Sequence, residues 1–305
     1  MSAAAAPVLT FADLDCWSSS AISLAVIGQP VAHSLSPAMH NAALAEMAKT
    51  NPAFGDWRYF KFEIAPDELT GALAAFREAR FLGLNLTIPH KALVVPHLDS
   101  HDSFVDASGA ANTLKLTGAG WHGSNTDGYG LATALQEDLK IKLRGTPVIL
   151  LGTGGAARAA AAECLRQACA SLWIGYRTPA SLAALRSSLR ARPAATVIGD
   201  FELAHPPADL PSGALVINAT SLGLRPEDPG PVDLKKIPAP AGVFDMIYRP
   251  PETALLRQAA ALGIPHANGL SMLVHQGAKS LEIWSGATVP VAVMQAAARA
   301  ALASP

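Results

Sequence analysis

The stretch Val148-Ile149-Leu150-Leu151-Gly152-Thr153-Gly154-Gly155-Ala156-Ala157 decides the fold. Four apolar residues in a row predict a buried strand, and the Ala-rich run over residues 154–168 predicts a helix. Between them lies a G-x-G-x-x-A turn. Gly152 permits the tight turn, Gly154 lets a backbone approach a pyrophosphate, and the small Ala157 lets helix and strand pack closely. The phosphates would sit on the free N–H groups of the helix start. The alternative is a plain tight turn, and the flanking strand and helix argue for the dinucleotide loop.

The choice of dinucleotide is read about 20 residues further on, where an NAD site places an acidic residue on the ribose. Here the strand ends Gly175-Tyr176-Arg177-Thr178, with no Asp or Glu. Arg177 can hold a 2′-phosphate through charge-assisted bonds, so NADP is the expected cofactor. The alternative is Arg177 as a solvated surface residue.

Outward from this loop, short apolar runs alternate with helical stretches. Strands are predicted at 22–27, 58–64, 82–87, 148–151, 171–176, 215–218 and 243–246. Helices are predicted at 36–48, 66–80, 154–168, 181–190 and 251–262, with a helical tail from Leu270 broken at Pro290. Ser36-Pro37 reads as an N-cap and a first-turn proline, and Gly263 as a C-terminal stop. The Pro-rich run 226–240 reads as a surface loop. The alternation predicts an α/β protein of two domains. An N-terminal open, mostly parallel substrate-binding domain covers 21–126 plus a returning C-terminal helix in 270–305, and a Rossmann-type domain covers 127–269. Residues 1–20, rich in Ala and Ser, are expected to be a loose extension.

Of the 305 residues, 50% are hydrophobic and 15% charged, with a formal charge of −1. A folded globular protein follows, and the neutral sum argues against nucleic acid. No window reaches a membrane span and the start lacks a signal-peptide pattern, so the cytoplasm is the default. Cys16, Cys164 and Cys169 have no metal or disulfide spacing, and no metal is expected.

Three segments are polar where a strand hands over to a helix. They are Gly28-Gln29-Pro30-Val31-Ala32-His33-Ser34-Leu35-Ser36-Pro37, Asn85-Leu86-Thr87-Ile88-Pro89-His90-Lys91, and Asn112-Thr113 with Gly123-Ser124-Asn125-Thr126-Asp127-Gly128. In an open α/β sheet such ends converge on a ligand crevice. Hydroxyls, amides, one amine and one carboxylate suit a small, many-hydroxyl acid. Plainer roles stay open: Ser36 as only a helix cap, residues 125–128 as a simple turn, His33 and His40 as structural. A cation such as Lys91 at a helix start opposes the helix dipole, so its placement asks for another reason.

These segments together resemble the shikimate dehydrogenase family, over roughly residues 22–286. The resemblance is carried in order by VIGQPVAHSLSPAMHN, GLNLTIPHK, ANTL, GSNTDGYG, LGTGGAARA, NATSLG, FDMIYRP and GLSMLVHQGAKSLEIWSG. It implies Lys91 and Asp127 as the catalytic pair. It implies Ser34, Ser36, Asn85, Thr87, Asn112, Tyr248 and Gln276 around the substrate. On the cofactor it implies Gly152, Gly154, Gly155 and Ala156 at the pyrophosphate, Arg177 and Thr178 at the 2′-phosphate, Thr220 and Ser221 near the ribose, and Gly269 and Met272 beside the nicotinamide.

The chain departs from the family pattern at Tyr176, where Asn is frequent, at Ser181, where a second Arg is common, and at Gly277, where Ala is usual. The implied activity is NADPH-dependent reduction of 3-dehydroshikimate to shikimate. The implied partner is a small-molecule substrate, in a monomer or homodimer. A quinate/shikimate or aminoshikimate dehydrogenase using NAD(P), a non-catalytic sensor and, more distantly, a methylene-tetrahydrofolate dehydrogenase are the alternatives.

Overall fold

The computed structural model describes residues 7–189 and 196–303. The described residues fall into two compact units, one from Met1–Val105, Ala110–Thr126 and Gln276–Pro305, the other from Asp106–Gly109 and Asp127–His275. Two boundaries differ from the sequence expectation. Residues 106–109 belong with the second unit, and the chain returns to the first at Gln276 instead of 270.

The first unit is built on strands β1 (Leu9–Thr10), β2 (Ile22–Gly28), β3 (Trp57–Glu63), β4 (Gly83–Leu86), β5 (Ser100–His101), β6 (Thr113–Thr117) and β7 (Gly120–Ser124). Their order is β1-β3-β2-β4-β6-β7-β5. Strands β1 to β4 pair in parallel, whereas β6 runs antiparallel to both β4 and β7. Leu24 lies opposite Tyr59 and Gly83, and Val26 opposite Lys61 and Asn85, so these residues share one face. Helices α1 (Ser36–Thr50), α2 (Leu69–Glu78), α3 (His90–Leu93) and α4 (Ser103–Ser108) intervene. On the other face Phe62, Phe76 and Phe81 meet edge to face with centroids 4.8–5.8 Å apart.

The second unit holds β8 (Pro147–Leu151), β9 (Ser171–Tyr176), β10 (Val197–Glu202), β11 (Leu215–Asn218), β12 (Gly242–Asp245) and β13 (His266–Asn268), in the order β10-β9-β8-β11-β12-β13. All these pairs are parallel. Helices α5 (Asp127–Ala134), α6 (Gly155–Arg166), α7 (Pro179–Ser188) and α8 (Ala254–Ala261) belong to this unit. The boundary between units falls inside α9 (Leu270–Ser285), and α10 (Val291–Ala303) follows and packs on α1. Strand order reverses between β8 and β11, the topological switch point of a doubly wound sheet. The predicted mixed α/β architecture is present.

Several sequence expectations need correction. Residues 9–17 are not a loose extension: β1 pairs with β3, Leu14 is buried, and Trp17 packs within 5.0 Å of Phe60 and of Phe81. Apolar side chains at 9, 11, 14 and 17 staple this segment to the sheet; residues 1–6 lie outside the described set. The N-cap of α1 is Leu35, so Ser36 is the first helical residue and the Ser34 Oγ accepts from its N–H at 3.3 Å. The second helix opens with a 3-10 turn, Pro66–Glu68, before α2.

The helix expected from Pro251 starts at Ala254, because Thr253 is the cap and accepts from the Leu256 N–H. The run 226–240 is more than a surface loop, since it buries Val232, Leu234 and Ile237. Helix α7 ends at Ser188, and the expected end at Arg190 lies outside the described residues. The β6–β7 hairpin and β10 were not foreseen. Cys164 and Cys169 are buried, as small core residues should be. The described residues contain no helix long and apolar enough to cross a membrane.

Candidate active site

In the first unit one wall of polar side chains gathers residues far apart in sequence. Asn85, on β4, donates through Nδ2 to Asn112 O at 3.0 Å, Thr113 Oγ1 at 3.2 Å and Ser280 Oγ at 3.0 Å. Its Oδ1 accepts from the Tyr59 hydroxyl at 2.7 Å. Asn112 donates to Thr126 Oγ1 at 2.9 Å and to Gln276 Oε1 at 3.1 Å, and its own Oδ1 accepts from the Thr126 N–H at 2.8 Å. Thr113 and Ser280 are 2.7 Å apart, and the Ser280 hydroxyl bonds back to Gln276 O on the preceding turn of α9. A buried polar network that is satisfied throughout is rigid, because each unmade bond would carry a desolvation cost.

Asn85, Asn112 and Gln276 were named from sequence. Thr113 and Thr126 lay in the polar segments without a named role, and Tyr59 and Ser280 were not singled out.

Ser34 is half-buried and Ser36 is buried beside the Tyr59 phenol. Thr87 follows β4, and its N–H donates to Ile27 O. Gly28 permits this approach, since a Cβ there would collide with the Thr87 methyl. Lys91 is the half-buried second residue of α3, and its carbonyl accepts from Ala111 N at 2.8 Å. The preceding His90 is buried and donates through Nε2 to Ile64 O at 2.8 Å, which fixes its tautomer. Burial lowers the His90 pKa, opposed by that carbonyl. Asp127 is the buried first residue of α5, next in chain to Thr126 of the polar wall.

The second unit carries the glycine loop. Gly152 has φ +112°, and a Cβ there would sit 2.9 Å from Ala219 O, so only glycine fits without strain. Gly154 and Gly155 are exposed with nothing within 4 Å of an added Cβ, at the N-terminus of α6. That open cradle of backbone N–H groups fits a pyrophosphate. Ala157 is fully buried against the sheet, and Ala156 is half-buried. Arg177 and Thr178 are exposed at the end of β9. Thr178 caps α7, and Ser181 closes that cap by donating to Thr178 O at 2.8 Å, so Ser181 serves the helix in place of an arginine.

Thr220 is held in a turn by Asn218, whose Oδ1 accepts from both its N–H at 3.0 Å and its hydroxyl at 2.8 Å. Asn218 in turn donates to Asp245 at 2.9 Å, which also accepts from the Ile247 N–H and from Thr253. Burial raises the Asp245 pKa, and these three donors oppose it. Asn218, Asp245 and Thr253 therefore brace the Thr220–Ser221 turn, a role the sequence did not reveal. Ser221 is exposed. Gly269 is required by packing, because a Cβ would collide with Met246 O; Met272 and Tyr248 are half-buried in the same unit. Burial raises the Tyr248 pKa, opposed by Arg249. Among the described residues no group of three or more His, Cys, Asp or Glu could hold a metal ion.

Residues 26–114 match the shikimate dehydrogenase substrate binding domain, and residues 269–299 the shikimate 5′-dehydrogenase C-terminal domain. The shikimate dehydrogenase (NADP(+)) of Citrifermentans bemidjiense is 38% identical over 92% of this chain and 95% of its own length. Shikimate 5-dehydrogenase of Thermus thermophilus, solved with NADP(H) and shikimate, superposes with a TM-score of 0.79 at 34% identity, covering 92% of this chain and 99% of that one. The 5-ketofructose reductase of Gluconobacter sp. strain CHM43 superposes with a TM-score of 0.79 at 30% identity, covering 92% and 98%. This chain belongs to the shikimate dehydrogenase family.

Proposed function

We propose that this chain is an NADP-dependent shikimate dehydrogenase, catalysing the reversible reduction of 3-dehydroshikimate to shikimate in aromatic amino acid biosynthesis. The observation that carries this reading is the wall of the first unit, in which Asn85, Asn112 and Gln276 are tied into one hydrogen-bonded array. Such an array suits a ligand with several hydroxyls, since a site built to pair a hydroxyl rejects analogues that lack it.

The nicotinamide supplies the hydride when bound, and the chain must grip the substrate and manage one proton. Ser34, Ser36, Asn85, Thr87, Asn112, Tyr248 and Gln276 hold the substrate hydroxyls and carboxylate. Lys91 donates a proton or a strong hydrogen bond to the oxygen that becomes an alkoxide. Asp127 orients the amine and balances its charge. Gly152, Gly154, Gly155 and Ala156 present backbone donors to the pyrophosphate, and Arg177 with Thr178 faces the 2′-phosphate. Thr220 and Ser221 line the ribose, and Gly269 and Met272 the nicotinamide. No Asp or Glu stands at the end of β9 to repel that phosphate, which supports NADP over NAD. A cytoplasmic enzyme, monomeric or dimeric, goes with this reading.

Initial rates with shikimate and quinate against NADP and NAD test it. The highest kcat/KM is expected for shikimate with NADP. A preference for quinate, or tight binding of both ligands with no change in absorbance at 340 nm, would overturn it in favour of a paralogous activity or a sensor.

A further inference from the structure

Tyr59 lies on β3, two strands away from Asn85 on β4, and its side chain reaches over β2 to place its hydroxyl 2.7 Å from Asn85 Oδ1. Two groups dictate how the Asn85 amide is turned. Asn112 O can only accept, so the amide nitrogen must face it. The amide oxygen then points at Tyr59, which has to donate. Burial drives the Tyr59 pKa well up, which keeps the phenol protonated and able to do so.

The ring itself is held in place. His40 stacks on it with centroids 4.1 Å apart and planes within 6°, and Trp284 stands at 6.2 Å. His40 is fully buried, and neither ring nitrogen has a hydrogen-bond partner. A histidine that gives up both hydrogen bonds is costly to bury, and its visible contribution is the flat surface it offers Tyr59. The Ser36 hydroxyl lies beside the same phenol. Tyr59 is thus placed between two side chains assigned to the substrate and linked to both.

We propose that Tyr59, backed by His40, is a positioning residue that fixes the orientation of the Asn85 amide and thereby the affinity for substrate. The inference rests on the reading above, in which Asn85 touches substrate. Without the Tyr59 hydroxyl the Asn85 oxygen loses its buried donor, and the amide is held from the Nδ2 side alone, by Asn112 O, Thr113 and Ser280. The substrate would lose a preformed partner, and the proton-transfer groups would be untouched.

The test is steady-state kinetics of Tyr59→Phe, Asn85→Ala and the double variant. Tyr59→Phe keeps the ring and its stack. It is expected to raise KM for shikimate about tenfold, with kcat and KM for NADP within about twofold, the signature of one lost ground-state hydrogen bond. In the Asn85→Ala background the same change should add nothing, because the group it orients is gone. An impaired Asn85→Ala with a Tyr59→Phe of unchanged KM, or a Tyr59→Phe penalty of full size on top of Asn85→Ala, overturns the inference and leaves the site reading standing. An Asn85→Ala enzyme with wild-type KM removes the site reading and the inference together. If Tyr59→Phe does not fold, 3-fluorotyrosine at position 59 retains ring, stack and hydrogen bond. Its fluorine resonance is expected to shift on titration with shikimate, and a resonance indifferent to saturating shikimate overturns the proposal.

Discussion

The two units solve recognition in opposite ways. In the first, polar side chains are buried and satisfied by one another before any ligand arrives: Asn85 and Asn112 are 5% and 1% exposed. In the second, the decisive residues have almost no side chain, and Gly154 and Gly155 present open backbone at a helix start. The difference matches the ligands proposed for them. A small ring acid must be told from its neighbours by the exact count of its hydroxyls, which calls for fixed side-chain partners. A pyrophosphate is the same in every dinucleotide, and backbone N–H groups with a helix dipole suffice for it. In the proposed reading dinucleotide type is left to one side chain beyond the loop, Arg177, which is exposed.

Damage to the two units should therefore look different. The largest effect is expected at Lys91, which belongs to neither recognition scheme. Lys91→Ala should cut kcat by roughly 10²–10⁴ with modest change in either KM, as loss of a positioned acid does; undiminished turnover would remove Lys91 from catalysis. Next comes the glycine loop. Gly152→Val forces a β-branched residue to φ +112° and against Ala219 O. A loss of roughly 2–4 kcal/mol of stability is expected, readable by urea unfolding. Wild-type stability and wild-type KM for NADP together would show that the loop tolerates a side chain.

Much of this was legible because it is local. The strand, G-x-G turn and helix are consecutive, and backbone sterics at Gly152 and the small Ala157 dictate them within ten residues. Asn85, Asn112 and Gln276 were named through the family motifs GLNLTIPHK, ANTL and GLSMLVHQGAKSLEIWSG. The bonds that make them a wall were hidden. Asn85 meets Ser280 across 195 positions of sequence and Tyr59 only because β3, β2 and β4 pair in one register. Tyr59 in Trp57-Arg58-Tyr59-Phe60 reads as one more core aromatic. Local rules also misled where two residue types compete for one job. Leu35, and not Ser36, is the N-cap of α1, with the Ser34 hydroxyl accepting from the Ser36 N–H, and the apolar residues at 9, 11, 14 and 17 were masked by the Ala and Ser around them.

The prepaid wall of the first unit also has a pH signature. Burial holds the His40 pKa at about 3, below the ordinary 6.5. Between those values the unfolded chain binds a proton that the folded chain refuses, so stability present above pH 6.5 is lost as pH falls toward 3. The slope expected from this residue is about 1.4 kcal/mol per pH unit. Urea unfolding between pH 7 and 4.5 should show a shallower acid loss for His40→Phe than for wild type, whatever the absolute stability of the variant. Equal slopes would mean that His40 protonates freely in the folded protein.

The division of labour between the two units is tested most directly by a paired measurement of KM for shikimate and for NADP in Gln276→Ala and Arg177→Ala. Gln276→Ala is expected to raise KM for shikimate by about tenfold or more and leave KM for NADP alone, as loss of a buried hydrogen bond to one ligand would. Arg177→Ala should do the reverse and narrow the preference for NADP over NAD, since only the 2′-phosphate is deprived of a charge. A Gln276→Ala enzyme with unchanged KM for shikimate, or an Arg177→Ala enzyme whose NADP preference is intact, would contradict it.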